Sequence, residues 1–242
     1  MSETWFGFDC DRFEFEGKPA VVVFPDKNVT PIKKVVIKSV YWEAFPDVEF
    51  NLLRKGYHVA YVRTMNRFGV KEDCDRKARF LKFISEKYGF DGKCGLIGMS
   101  LGGCHAVRFA GFYPELVSCI WLDAPVLNLH SYPGKFGNAE CEGVWQKEFE
   151  DAYPGVKRYQ LHTMDIHPIA KADILIENKI PVLLSWGTED CSVNFNENGR
   201  LLMEAYEGTG LLTPLRVGLR GHHPHGKIGK NDEIIDWIAE HL

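Results

Sequence analysis

Apolar and polar positions alternate along the first recognisable stretch of the chain and then give way to longer blocks. RFEFE (12–16) alternates, EGK turns the chain, and AVVVF (20–24) is a short apolar run, which together predict a hairpin over Arg12–Pro25. KVVIKSVY (Lys34–Tyr41) and HVAYVR (His58–Arg63) read as strands. Between them Val48–Lys55 has helical spacing and stops at Gly56, a residue suited to end a helix. Asp73–Tyr88 places Ala78, Phe80, Leu81 and Ile84 on one side, predicting a long amphipathic helix stopped by Gly89. KCGLIG (Lys93–Gly98) is a strand that runs straight into a glycine-flanked turn and a helix over Leu101–Phe112. VSCIWL (Val117–Leu122), PVLLSW (Pro181–Trp186) and LRVGL (Leu215–Leu219) are apolar without alternation, the pattern of strands buried on both faces. Asp232–Leu242 closes the series as a helix.

Strands alternating with helices after an opening hairpin predict an α/β fold, a mostly parallel sheet with helices on both faces. From about residue 126 to 178 the rhythm stops. That region carries glycine, proline and aromatics (HSYPGKFGNAE, then GVWQKEFEDAYPG) and no clear strand. It reads as a cap inserted after the Val117 strand, since long insertions in compact domains are usually functional. The competing reading is a helical excursion that covers surface without gating anything.

Composition narrows the possibilities. A chain of 242 residues suits one domain, here 1–242. The net charge is −4 and no Lys/Arg run occurs, which argues against nucleic acid or an anionic membrane as partner. The N-terminus, MSETWFGFDCDRFEFEG, lacks a basic segment followed by an apolar one, and no apolar run approaches a membrane span. The seven cysteines, Cys10, Cys74, Cys94, Cys104, Cys119, Cys141 and Cys191, are scattered and form no CxxC pair. Reduced, structural thiols in a cytoplasmic protein are therefore expected. No internal repeat and no low-complexity stretch is present, and neither GxGxxG nor a phosphate-binding loop occurs, so no cofactor is expected.

The candidate chemistry begins at Gly98-Met99-Ser100-Leu101-Gly102, a G-x-S-x-G. Such a pentapeptide arises by chance in roughly one chain in ten of this length, so its setting decides. Here an apolar strand precedes it and an apolar helix follows. That is the setting of a nucleophile elbow, which puts Ser100 at the positive end of a helix. A serine hydroxyl needs a general base. WGTEDCSV after the Pro181 strand offers Asp190, and RGHHPHG after the Leu215 strand offers His222, His223 and His225. Both follow the carboxyl ends of predicted strands, where sites of open α/β sheets form, and the chain order is serine, acid, histidine.

These motifs resemble the α/β-hydrolase superfamily, in its esterase and prolyl-oligopeptidase-like branch of serine hydrolases, and the similarity extends over nearly the whole chain. GLIGMSLGG is similar to the family's elbow, IPVLLSWGTED to its acid loop and LRVGLRGHHPHG to its histidine loop. More narrowly, DAP with SYPG and GHHPHG resembles bacterial hydrolases that remove esters from carbohydrates. The resemblance implies a Ser100–His222–Asp190 triad, since the family's histidine follows the glycine after the last strand; His223 and His225 remain alternatives. Asp123, at the end of the Val117 strand, and Asp165, in the cap, compete as acids. A turn or helix-cap role is the stronger reading for Asp123, and Glu189 is expected to point away.

The oxyanion hole calls for the N–H of Leu101 and a second donor from the loop around Tyr41, Trp42 and Glu43. YWEAFP lacks the glycines of the HG or HGGG pattern, so that second donor is left open, and Trp42 and Phe45 either wall the acyl pocket or pack the loop. The HHPH cluster has no matching Asp, Glu or Cys set nearby in sequence, so no metal is expected. His105, Cys104 and Cys119 read as packed residues, and Gly103 as a close-packing glycine. Trp145, Tyr132 and His130 are candidates for the cap side of the pocket. The expected activity is hydrolysis of a small-molecule carboxylic ester, with small acyl esters on sugars first, falling in acid as the histidine base protonates. A peptidase or amidase using the same triad, or a non-catalytic binding module on the same fold, are the alternatives. The sequence sets no oligomeric state.

Overall fold

A computed structural model of the chain describes residues 3–140, 145–226 and 231–242. Cys141 lies outside them, as does the side chain of Trp145. The described residues form a nine-stranded sheet of order β1-β2-β3-β5-β4-β6-β7-β8-β9. A short β1 (Thr4–Trp5) pairs antiparallel with β2 (Phe8–Phe15), which pairs with β3 (Lys18–Val23), which pairs with β5 (His58–Val62). The rest of the sheet is parallel: β4 (Val35–Lys38), β6 (Cys94–Met99), β7 (Val117–Asp123), β8 (Val182–Gly187) and the edge strand β9 (Leu212–Val217).

The two faces of the sheet explain why these strands lack alternation. Val35 and Ile37 of β4, Ile120 and Leu122 of β7, and Val182 and Leu184 of β8 pack into one core, with α2 (Lys71–Tyr88), α3 (Leu101–Phe112), α5 (Ala172–Glu177) and α6 (Gly199–Ala205). The intervening Val36, Cys119, Trp121 and Leu183 pack into the other, with α1 (Asp47–Arg54) and α7 (Asn231–His241). The side-chain rows of β4, β7 and β8 are thus largely apolar because each meets a helical layer, whereas the last strand, expected to be buried on both faces, lies at the sheet edge with only Leu215 buried and Thr213, Pro214 and Arg216 exposed.

The opening hairpin turns at Glu16 and Gly17, both at positive φ, as a two-residue turn joining twisted strands requires. Two bounds differ from the sequence reading. β9 begins at Leu212 and ends at Val217 instead of running from Leu215 to Leu219. Pro214 sits inside it, which an edge strand tolerates because one side needs no N–H donor, and Leu219 turns out at positive φ and 90% exposure. Helix α6 and the two-residue β1 carry no sequence signal strong enough to predict.

The described part of 126–178 contains no strand, only α4 (Trp145–Ala152), two short 3₁₀ helices (Arg158–Thr163 and Pro168–Lys171) and α5. It forms a cap whose own core joins Leu129, Phe149 and Leu161 to Phe68, Leu101, Cys104 and Val193 of the body. Buried Asn198 fastens the start of the cap by accepting from the N–H groups of Leu127 and Asn128. Glu197 accepts from Ser131 Oγ and from the Asn138 N–H. The six described cysteines are free thiols, all buried except Cys191. No helix among the described residues is long and apolar enough to cross a membrane.

Candidate active site

Ser100 stands between the end of β6 and the start of α3, at φ 52 and ψ −123, a backbone state that L-residues rarely adopt. Three hydrogen bonds hold it there: its N–H donates to the Asp123 carbonyl at 3.0 Å, and its carbonyl accepts from Val126 N–H at 3.0 Å and from Gly103 N–H at 2.9 Å. The flanking glycines are required by space. A Cβ on Gly98 would stand 2.9 Å from the Gly102 carbonyl oxygen, and one on Gly103 would stand 2.3 Å from the Pro125 Cβ. The turn therefore drives Ser100 Oγ out at the N-terminus of α3, where the first N–H groups, that of Leu101 among them, have no i−4 carbonyl partner within the helix.

His222, in the loop after β9, accepts the Ser100 hydroxyl at Nε2 over 3.1 Å. Its Nδ1 donates to Asp190 Oδ2 over 2.8 Å, which assigns the proton to Nδ1 and the lone pair to Nε2. Asp190, in the loop after β8, is fixed in turn: its Oδ1 accepts from the N–H groups of Ser192 (3.0 Å) and Val193 (2.9 Å). The carboxylate is 1% exposed and the imidazole 12% exposed, so water competes little for either. Three residues from distant parts of the chain thus form one chain of hydrogen bonds above the carboxyl edge of the sheet.

The other candidates fall elsewhere. Asp123 is neither a turn nor a cap residue. It is buried, and its Oδ1 accepts from Arg220 Nη2 (2.7 Å) and Ser185 Oγ (2.7 Å), its Oδ2 from Arg220 Nη1 (2.8 Å) and His225 Nδ1 (2.7 Å). Burial alone would raise its pKa, but the bonds from His225 and Arg220 prevail and lower it to about 2. Asp165 lies at the surface near Lys171, and Glu189 is exposed and holds the Thr188 hydroxyl. His105 is fully buried, 3.4 Å from the Lys77 ammonium, and its pKa is pushed well down by burial and then by Lys77. His130 packs against His162 and His167 under the cap and does not reach the cavity. Trp42 does not wall the pocket: its ring is stacked between Trp5 (4.7 Å) and Tyr61 (5.4 Å), because the loop turns it back into the hairpin side.

A cavity of about 280 Å³ opens over Ser100, lined by Tyr41, Phe45, Met99, Tyr132, Val193 and His222 among others. Its remaining wall includes Arg67, a residue that sequence pattern did not single out. Arg67 Nε and Nη2 donate to the Glu148 carboxylate of cap helix α4, while Nη1 donates to Tyr41 Oη at 2.8 Å. Burial works against its charge, but Glu148 and Tyr41 more than offset this and keep it protonated. Tyr41 lines the same cavity as Ser100; burial raises the pKa of its hydroxyl despite Arg67, so it remains a phenol. With Arg67 Nη1 donating to the phenolic oxygen, the phenolic proton is left for another acceptor.

The family model for the alpha/beta hydrolase fold matches residues 74–165. The chain superposes on an S-formylglutathione hydrolase from Agrobacterium tumefaciens with a TM-score of 0.69 at 18% identity, over 100% of this chain and 98% of that one. It superposes on Pyrococcus horikoshii acylaminoacyl peptidase with a TM-score of 0.69 at 16% identity, over 97% of this chain and 42% of that one. With puromycin hydrolase the TM-score is 0.68 at 19% identity, over 96% of this chain and 39% of that one. The chain thus spans less than half the length of the last two, and at these identities the likeness is one of fold. No curated protein matches it in sequence.

Proposed function

We propose that this chain, which has the α/β-hydrolase fold, is a serine hydrolase that cleaves small carboxylic esters through Ser100, His222 and Asp190. The observation that carries the reading is the unbroken run of hydrogen bonds from Ser100 Oγ through His222 to Asp190. In the proposed reaction His222 Nε2 takes the hydroxyl proton as Ser100 Oγ adds to the ester carbonyl. Asp190 holds the Nδ1–H tautomer and stabilises the imidazolium that forms. The oxyanion is met by the N–H of Leu101 and by the Tyr41 hydroxyl, which replaces the backbone donor that glycines supply in other esterases. The imidazolium then protonates the leaving alcohol, and water, activated by the same histidine, releases the acid and restores Ser100.

The size of the cavity supports a small acyl group, since 280 Å³ lies at the lower limit of small-molecule sites. Its lining by Phe45, Met99, Tyr132 and Val193 favours an apolar acyl chain. Sugar esters are the first alcohol class to try. Cleavage of amides by the same machinery is the second reading, favoured by the likeness to an acylaminoacyl peptidase.

A fluorophosphonate probe tests the core of the proposal: the wild type is expected to be labelled and Ser100→Ala not. A protein that resists labelling while folded is not a serine hydrolase. Rates on p-nitrophenyl esters of increasing acyl length, set against aminoacyl anilides, separate the ester reading from the amide one.

A further inference from the structure

His222, His223 and His225 each offer a ring nitrogen within 4.8 Å of the others. His225 is 2% exposed; its Nδ1 is taken by Asp123, and its Nε2 is buried with no hydrogen-bond partner among the described residues. A buried, unpartnered imidazole nitrogen costs free energy unless something occupies it. Two of the three rings share one further feature. Asp190 stands behind His222 and Asp123 behind His225, each accepting from Nδ1 and leaving Nε2 as a lone pair. A carboxylate behind an imidazole is the arrangement that orients histidines toward a metal ion and raises their basicity as ligands. Asp123 is itself locked by Nη1 and Nη2 of Arg220 and by Ser185. The third ring, His223, is exposed, lies along Phe45 at 5.3 Å and turns its edge to His225.

We infer that His222, His223 and His225 form a binding site for a divalent transition-metal ion of the zinc type, and that an ion seated there switches hydrolysis off by occupying the Nε2 lone pair of His222. The second half rests on the proposed serine hydrolase reading; the first does not. Three neutral imidazoles suit such an ion, and a water or Ser100 Oγ, 3.1 Å from His222 Nε2, completes a four-coordinate shell. Nitrogens around one tetrahedral zinc stand about 3.4 Å apart, given Zn–N bonds of about 2.0–2.1 Å. The exposed His223 has the freedom to close the remaining gap. A metal on Nε2 breaks the Ser100 hydrogen bond and leaves the hydroxyl without a base, so ion and ester compete for one histidine. The absence of a carboxylate near HHPH in sequence predicted no metal. The carboxylates arrive instead from β7 and from the loop after β8, 102 and 32 residues away.

The test uses the full chain without a histidine tag, Zn²⁺ for calorimetry and Co²⁺ for absorption. One Zn²⁺ is expected to bind per chain, and Co²⁺ to give the visible bands of a tetrahedral site that Zn²⁺ abolishes. His223→Ala, an exposed change that leaves the core intact, should weaken Zn²⁺ at least ~10-fold, the scale on which even supporting partners of metal ligands count. His225→Gln should do the same. Ester hydrolysis should fall with the same midpoint as Zn²⁺ occupancy and return on adding a chelator. No binding, or binding unchanged in His223→Ala, overturns the site. Binding at the histidines with activity indifferent to occupancy overturns the switch. A protein that binds Zn²⁺ here yet never reacts with the fluorophosphonate overturns the serine hydrolase reading and leaves the site standing.

Discussion

Replacing Asp123 by asparagine exchanges a carboxylate oxygen for an NH₂ group and should nonetheless cost the fold several kcal/mol. Oδ1 accepts from Arg220 and Ser185, and Oδ2 from Arg220 and His225. Whichever way the introduced amide turns, its NH₂ faces an Arg220 N–H, donor against donor, and the guanidinium keeps its charge at 6% exposure with no counter-ion. Removing one partner of a buried ion pair typically costs about 3–5 kcal/mol. The pKa of Asp123 gives a second measure of the same interaction. A fall from 3.8 to about 2 corresponds to about 2 kcal/mol favouring the ionised, folded form. Because the folded pKa is the lower one, the unfolded chain takes up the proton first. This stabilisation is complete above the unfolded pKa near 4 and is lost as pH falls through about 2. Urea unfolding of Asp123→Asn at pH 7, followed by tryptophan fluorescence, should show a loss of about 3 kcal/mol, shrinking between pH 4 and pH 2. The double variant Asp123→Asn, Arg220→Met should lose less than the two single losses added together. A single-variant loss below about 1 kcal/mol, or strict additivity, would refute the account of a buried, mutually dependent pair.

Three further outcomes follow from the site and the elbow. Ser100→Ala and Asp190→Asn should each lower kcat/KM for a good ester by roughly 10³- to 10⁴-fold or more with far-UV circular dichroism unchanged, and a tenfold effect would remove them from the chemistry. Tyr41→Phe should lower kcat about 10²- to 10³-fold with KM nearly constant, since a donor to the oxyanion acts in the transition state; an equal rise in KM instead would make it a binding residue. Gly103→Ala, whose Cβ would stand 2.3 Å from Pro125 Cβ, should cost about 1–3 kcal/mol in thermal or urea unfolding, and a neutral result would show that α3 can slide away from Pro125.

Whether a feature shows in the sequence depends on the range of the interaction that makes it. The buried strands were legible because β4, β6, β7 and β8 spend both side-chain rows on apolar residues. The elbow was legible because its steric demands are local: Gly98, Ser100 and Gly103 lie close together around one turn. Asp190 and His222 could be located because strand ends in this topology face one edge of the sheet. Arg67 could not, since its meaning comes from Glu148 and Tyr41, 81 and 26 residues away. The same holds for Asp123, whose partners Ser185, Arg220 and His225 come from β8 and the histidine loop. The Trp42 ring stays open between pocket wall and loop packing in the sequence, because a loop tryptophan gives no sign of which wall it leans on; Trp5 and Tyr61 claim it. The end of β9 was misplaced because LRVGL is apolar beyond the point where hydrogen bonding to β8 stops at Val217.

The salt link between Arg67 and Glu148 reaches further than the two side chains it joins. On the proposed reading the hydroxyl that receives the developing charge is propped from behind by a guanidinium, and that guanidinium is propped by a helix of the cap. An acyl chain long enough to push that helix outward would still be admitted, but it would slacken the prop and find the donor out of line. Substrate length would then register as slower turnover at undiminished affinity, selection by disarmament instead of by a closed door.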